Sequence, residues 1–123
     1  MASLREEWKQ AKATATANGL DLTKVADKEK FGPKLDTYEN EEKAYDAFME
    51  KNATNPNAAK EKAAKKKVID AAKAAEAAGG KYGAALTQVE NHYTGATKAA
   101  AGKLSTALMK ILVPLRKAAA GQF

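Results

Sequence analysis

The feature that most constrains this chain is an apolar stripe that holds helical phase through most of the second half. At 100° per residue, Val68, Ala72, Ala75, Gly79, Tyr82, Leu86, Val89 and Tyr93 fall within an arc about 100° wide. The phase continues past Gly95 through Thr97, Ala100, Leu104, Ile111, Leu115 and Ala118. A straight helix from residue 57 to 120 would be about 96 Å long, whereas a compact chain of 123 residues has a radius of gyration of roughly 14 Å. The segment must therefore fold back on itself. Gly79-Gly80 and Thr94-Gly95 are the two places where it can do so. The uninterrupted stripe argues for intact helix across one of them. The cost of glycine inside a helix, about 1 kcal/mol each, argues for a break at the first. Both divisions stand at this level: helices over 57–78 and 81–120, or over 57–94 and 96–120.

The first half supplies two more helices. Ser3 with Glu6 three residues on forms a capping box, Leu4, Trp8, Ala11 and Ala15 share a face, and Asn18-Gly19 is a stop signal, which places a helix over about 3–18. Thr23 to Lys30 has the character of a short extra helix, and Phe31-Gly32-Pro33 that of a turn. Pro33 suits the first position of a helix running to about residue 53, with Leu35, Tyr38, Tyr45, Phe48 and Met49 as its stripe and Glu41 and Glu42 interrupting it. Asn52 to Asn57 is a loop, since Asn55 is disfavoured in helix before Pro56 and Asn57 can cap the next helix. The expectation is an all-α, up-and-down bundle of about four main helices without a β-sheet, forming a single helical domain over 1–123. Its core is expected to hold Trp8, Tyr38, Tyr45, Phe48, Val68, Leu86, Val89, Tyr93, Leu104, Leu108, Ile111 and Leu115. With 29 alanines the seams are thin, so self-association would bury surface that one copy cannot.

Composition removes several function classes. The absence of cysteine excludes disulfides, thiolate chemistry and cysteine-rich zinc sites. MASLREEWKQ lacks a leader's apolar stretch, and Ile111 to Leu115, the longest run of large apolar residues, is too short to span a bilayer. The expected location is the cytoplasm. A serine–histidine–acid triad has no evident partner set with Ser3 and Ser105 the only serines and His92 the only histidine, and the paired Glu-x-x-His motif of di-iron bundles is absent. No catalytic residue, cofactor, metal site or small-molecule substrate is indicated.

Charge is unevenly distributed. Residues 1–56 hold 9 basic and 11 acidic side chains and residues 57–123 hold 12 and 4, or net charges of −2 and +8. Lys60, Lys62, Lys66, Lys67, Lys73 and Lys81 are expected opposite the apolar stripe, forming either a solvated helix back or a ridge that tracks the phosphates of a nucleic acid. With only Arg5 and Arg116 as arginines, such binding would be indifferent to base sequence. A third option is that the acidic 33–53 helix lies beside the ridge and pairs with it. Leu108 to Lys117 is apolar with a basic end, a pattern compatible with membrane-surface docking but better suited to a buried bundle helix.

Two short stretches resemble known families. Gly80-Lys81-Tyr82-Gly83 is similar to the GxxG element of KH domains, which implies a clamp on a nucleic-acid backbone with Lys81 on phosphate and Tyr82 stacking; the strands that a KH domain requires are missing. The His92 segment, ENHYTGATKAAAG, resembles histidine phosphotransfer domains over about ten residues, which implies an imidazole that accepts phosphate. Gly95 stands three residues on rather than four, and the lysine expected there is absent. The reading that gathers most of the chain is a non-catalytic helical module for protein–protein interaction or assembly. Gly79 and Gly83, in G-x-x-x-G spacing, would permit close approach of another helix, and a protein partner or second copy is the expected ligand. Sequence-independent nucleic-acid binding by the lysine ridge is the alternative, and phosphotransfer a remote one.

Overall fold

The computed structural model describes residues 3–25 and 30–123. Four helices, α1 (Leu4–Ala17), α2 (Phe31–Asn52), α3 (Ala58–Glu90) and α4 (Gly95–Ala119), and one 3-10 turn (Leu22–Lys24) make up the regular structure, with no strand among the described residues. The fold is an all-α, up-and-down bundle.

Helix ends follow from local chemistry. Ser3 caps α1 by accepting the Glu6 amide at 3.1 Å. The helix closes in a Schellman arrangement: Gly19 has φ +94°, its amide reaches the Thr16 carbonyl at 3.0 Å, and the Leu20 amide reaches Ala15 at 3.1 Å. That turn carries Leu20 into the core. At the next corner Asn57 accepts the Lys60 amide at 3.1 Å, while Asn52 accepts the Asn57 amide at 2.8 Å and donates to Glu61 at 3.3 Å. The buried Asn52 side chain thus fixes the return from α2 to α3.

Of the two divisions open in the sequence, the structure adopts the one with Gly79-Gly80 inside an unbroken α3 and the reversal at residues 91–94, before Gly95 at φ +64°. The helix also starts at Phe31, so Phe31-Gly32-Pro33 is the first turn of α2 rather than a turn before it. Pro33 fits there because the first amides of a helix have no intrahelical partner. The short helix expected over 23–30 is represented by the 3-10 turn at Leu22–Lys24, and residues 26–29 lie outside the described residues. Pro114 sits within α4, which continues to Ala119.

The register is antiparallel throughout. Glu76, Gly79 and Gly83 on α3 meet Arg116, Leu112 and Leu108 on α4 in descending order, and Phe31 at the start of α2 also reaches Gly79. Trp8 is the hub. It is fully buried and makes edge-to-face contacts with Phe31 and Tyr82, both at 5.1 Å between ring centres, so its ring joins α1 to α2 and α3. Arg5 ties the same end to α2 through Asp36 at 3.2 Å, and its amide donates to Glu39 at 2.6 Å.

At 14 residues, α1 is less than half as long as the 33-residue α3. Tyr45, Phe48 and Tyr93, expected in the core, are partly buried, with Tyr45 and Tyr93 packed against its edge. Phe123 packs edge-to-face on Tyr45 at 5.2 Å and beneath Lys65 at 5.1 Å.

Candidate interaction surface

Three surfaces carry the residues singled out in the sequence. The first is the lysine ridge, which the structure divides. Lys62, Lys66, Lys73 and Lys81 are exposed on the outer side of α3. Lys60 and Lys67, exposed as well, instead flank a groove of ≈ 310 Å³ between α2 and α3 whose other walls include Glu41, Tyr45 and Phe48. All six of the lysines expected in the ridge are exposed, and Lys60 and Lys67 are the two that stand on the side of α3 toward α2. Lys66 is paired with Asp70 at 2.9 Å, which raises the pKa of its ammonium. Among the described residues no ion pair within 4.0 Å joins α2 to α3, so the acidic helix packs beside the ridge without neutralising it by contact.

Three of the six α2 carboxylates, Asp36, Glu39 and Glu42, have structural partners. Glu42 accepts a hydrogen bond from the Tyr38 hydroxyl at 2.8 Å. Burial, then this bond and the surrounding carboxylates, push the Tyr38 phenol well above its ordinary range. Glu39 receives the Arg5 amide. Among the described residues no group of three or more histidine or acidic side chains is placed to hold a metal ion, and no helix is long and apolar enough to cross a membrane.

The second surface surrounds His92, which lies in the α3–α4 turn rather than on a helix. It lines a cleft of ≈ 460 Å³ with Lys24, Gln88, Val89 and Tyr93. Among the described residues no carboxylate pairs with the imidazole, and Gly95 stands across a chain reversal instead of one turn along the same helix. The imidazole is exposed, as the phosphotransfer resemblance implies, but it stands in a turn and not on a helix face.

The third surface is the outer seam of α3 and α4. Gly79 has no room for a side chain: a Cβ there would stand 2.6 Å from Leu112 Cδ2 and 2.8 Å from Phe31 Cε1. At Gly83 it would stand 3.3 Å from Leu108 Cδ2, while at Gly80 nothing lies within 4 Å. These glycines floor a groove of ≈ 230 Å³, completed by Ala84 and Thr87 on α3 and by Ser105, Met109 and Arg116 on α4. Glu76 and Arg116, 3.5 Å apart, bridge the helices at one end. Met109 and its neighbour one turn on, Val113, are 52% and 48% exposed, which is unusual for large apolar residues of a small core. Helix α4 contains no acidic residue, and Lys103, Lys110 and Lys117 are exposed on it with no carboxylate within 4.0 Å among the described residues. Lys81 within the GxxG stretch is exposed, but Tyr82 is buried against Trp8 and has no ring face free to stack on a base. Sequence reasoning missed Met109 and Val113; their i, i+4 spacing off the main stripe was the available signal.

No protein-family model, curated protein or solved structure matches the chain.

Proposed function

We propose that this chain is a non-catalytic helical interaction module that receives a protein partner, or a second copy, on the outer seam of α3 and α4. The observation that carries this reading is Met109, a half-exposed large apolar side chain lining a glycine-floored groove, with the equally exposed Val113 one turn on. Burying them against another chain recovers apolar surface that the monomer leaves in water. Gly80 supports the reading, because the space beside it is open and a partner backbone can approach α3 closely where no Cβ intervenes.

A second reading, sequence-independent binding of nucleic acid, is favoured by the lysines of α3 and α4 that lack acidic partners, among them Lys62, Lys73, Lys81 and Lys110. One pair of experiments separates the two. Light scattering against concentration reports assembly, and an anisotropy titration of labelled DNA at roughly 50 and 200 mM salt reports phosphate-driven binding. Tight DNA binding that collapses at the higher salt would replace the first reading with the second; no binding at the lower salt removes the second.

A further inference from the structure

We infer that the α3–α4 seam is built to dock an acidic amphipathic helix from a partner protein. This inference rests on the interaction-module reading and adds the chemistry of the occupant. The middle of the seam is small and apolar: Gly80 and Ala84 on α3 line the groove with Met109 on α4, and Ala77 on α3 and Thr106 and Val113 on α4 are exposed alongside it by helical spacing, with the Arg116–Glu76 pair at one end. From Ala77 to Ala84 the strip spans two turns of helix, the footprint of a crossing or parallel helix. Gly80 has no internal reason to be glycine. Its neighbours Gly79 and Gly83 make room for Leu112, Phe31 and Leu108, whereas the space beside Gly80 is open, in mid-helix where glycine is disfavoured. A bare backbone at that point serves something that approaches from outside.

Charge then selects among occupants. The neutral strip is bordered by Lys73 and Lys81 on α3 and by Lys110 and Lys117 on α4, all exposed and none with a carboxylate within 4.0 Å among the described residues. Glu76, the acidic side chain beside the groove, is occupied by Arg116. A second copy meeting this seam with its own seam would set lysine against lysine on both sides of the contact. A nucleic-acid backbone would use the lysines but leave Met109 and Val113 without a partner, and the seam offers no aromatic ring for a base. A lipid surface would accept both the lysines and the apolar pair, but has no use for the bare backbone at Gly80. An amphipathic helix with small and apolar residues on one face and glutamates along its flanks satisfies all three features.

The test uses the full chain, ¹⁵N-labelled, and two synthetic helical peptides that share one Leu/Ala face, one flanked by glutamate and the other by lysine. The expected result is binding of the glutamate peptide at least tenfold tighter than the lysine peptide, with shift changes centred on Gly80, Ala84, Met109 and Val113. Gly80→Leu, which projects a side chain into open space, and separately Val113→Glu should each weaken binding at least tenfold while circular dichroism stays unchanged. Equal affinity for the two peptides, no binding of either, or changes confined to residues remote from the groove would overturn the inference. Vesicles of phosphatidylserine and phosphatidylcholine and a single-stranded oligonucleotide are run in parallel; either one perturbing the groove while the glutamate peptide does not would also overturn it. If the peptides fail but light scattering shows a dimer that Val113→Glu disrupts, the acidic-helix inference falls and the interaction module stands. If peptides and self-association both fail while the oligonucleotide binds, both fall.

Discussion

Replacing Gly79 and Gly80 separately by alanine tests the packing of this bundle with little ambiguity, because the two residues are adjacent in one helix and differ only in what surrounds them. Alanine is favoured over glycine in mid-helix by about 1 kcal/mol, and this term is common to both substitutions. At Gly80 nothing lies within 4 Å of the new methyl group, so Gly80→Ala should stabilise the protein by about that amount. At Gly79 the methyl would stand 2.6 Å from Leu112 Cδ2 and 2.8 Å from Phe31 Cε1, on two different helices, and neither can withdraw without disturbing buried neighbours. Overpacking of this kind costs about 1–3 kcal/mol, so Gly79→Ala should be neutral to destabilising by up to about 2 kcal/mol. Since the helix term cancels, the difference between the variants is the overpacking cost itself, about 1–3 kcal/mol, or roughly 4–12 °C in Tm for a chain of this size. Urea unfolding followed by circular dichroism and by the fluorescence of Trp8 measures it. Two variants stabilised equally, within about 0.5 kcal/mol, would refute the close packing at Gly79.

Other consequences stem from single contacts. Asn57→Ala removes the cap of α3 and should cost about 1 kcal/mol in urea unfolding. Gly19→Ala forces a Cβ onto a backbone at φ +94° and toward Thr97 Oγ1 at 3.1 Å, and should destabilise by about 1–2 kcal/mol on the same assay. The Tyr38 phenol has its folded pKa raised above the ordinary 10.0, so the folded state retains a proton that the unfolded chain loses. Its contribution to stability is complete below pH 10 and declines as the pH rises above it. Tyr38→Phe should therefore show a smaller loss of urea midpoint between pH 8 and pH 10.5 than the parent protein.

Much of the bundle was legible because its signals are local. The cap at Ser3, the stop at Asn18-Gly19 and the cap at Asn57 each depend on a few neighbouring residues, and the stripe argued for intact helix across one of the two glycine sites without saying which. What decided against a break at Gly79-Gly80 was not visible in the sequence, since the contacts that offset the glycine cost come from Leu112 and Phe31, 33 and 48 residues away. Leu20, Val25 and Phe31 were missed as core residues for a related reason: they are buried by the turn after α1 and by the position of Trp8. The spacing of the lysines around α3 was readable, but that Lys60 and Lys67 border α2 depends on where α2 packs. The outer seam was half visible. The glycine spacing suggested a close contact, but the contrast between filled space at Gly79 and open space at Gly80 exists only once α4 is in place.

Helix α3 runs unbroken past Gly79-Gly80 and so presents a bare backbone at the seam. Amide hydrogen exchange at Gly80, Lys81 and Gly83 tests it most directly. An unbroken helix predicts protection comparable to that of Ala75 and Leu86 in the same element, as expected for amides that open only with the rest of α3. Exchange at those three amides many times faster than at Ala75 and Leu86 would show a hinge there and contradict it.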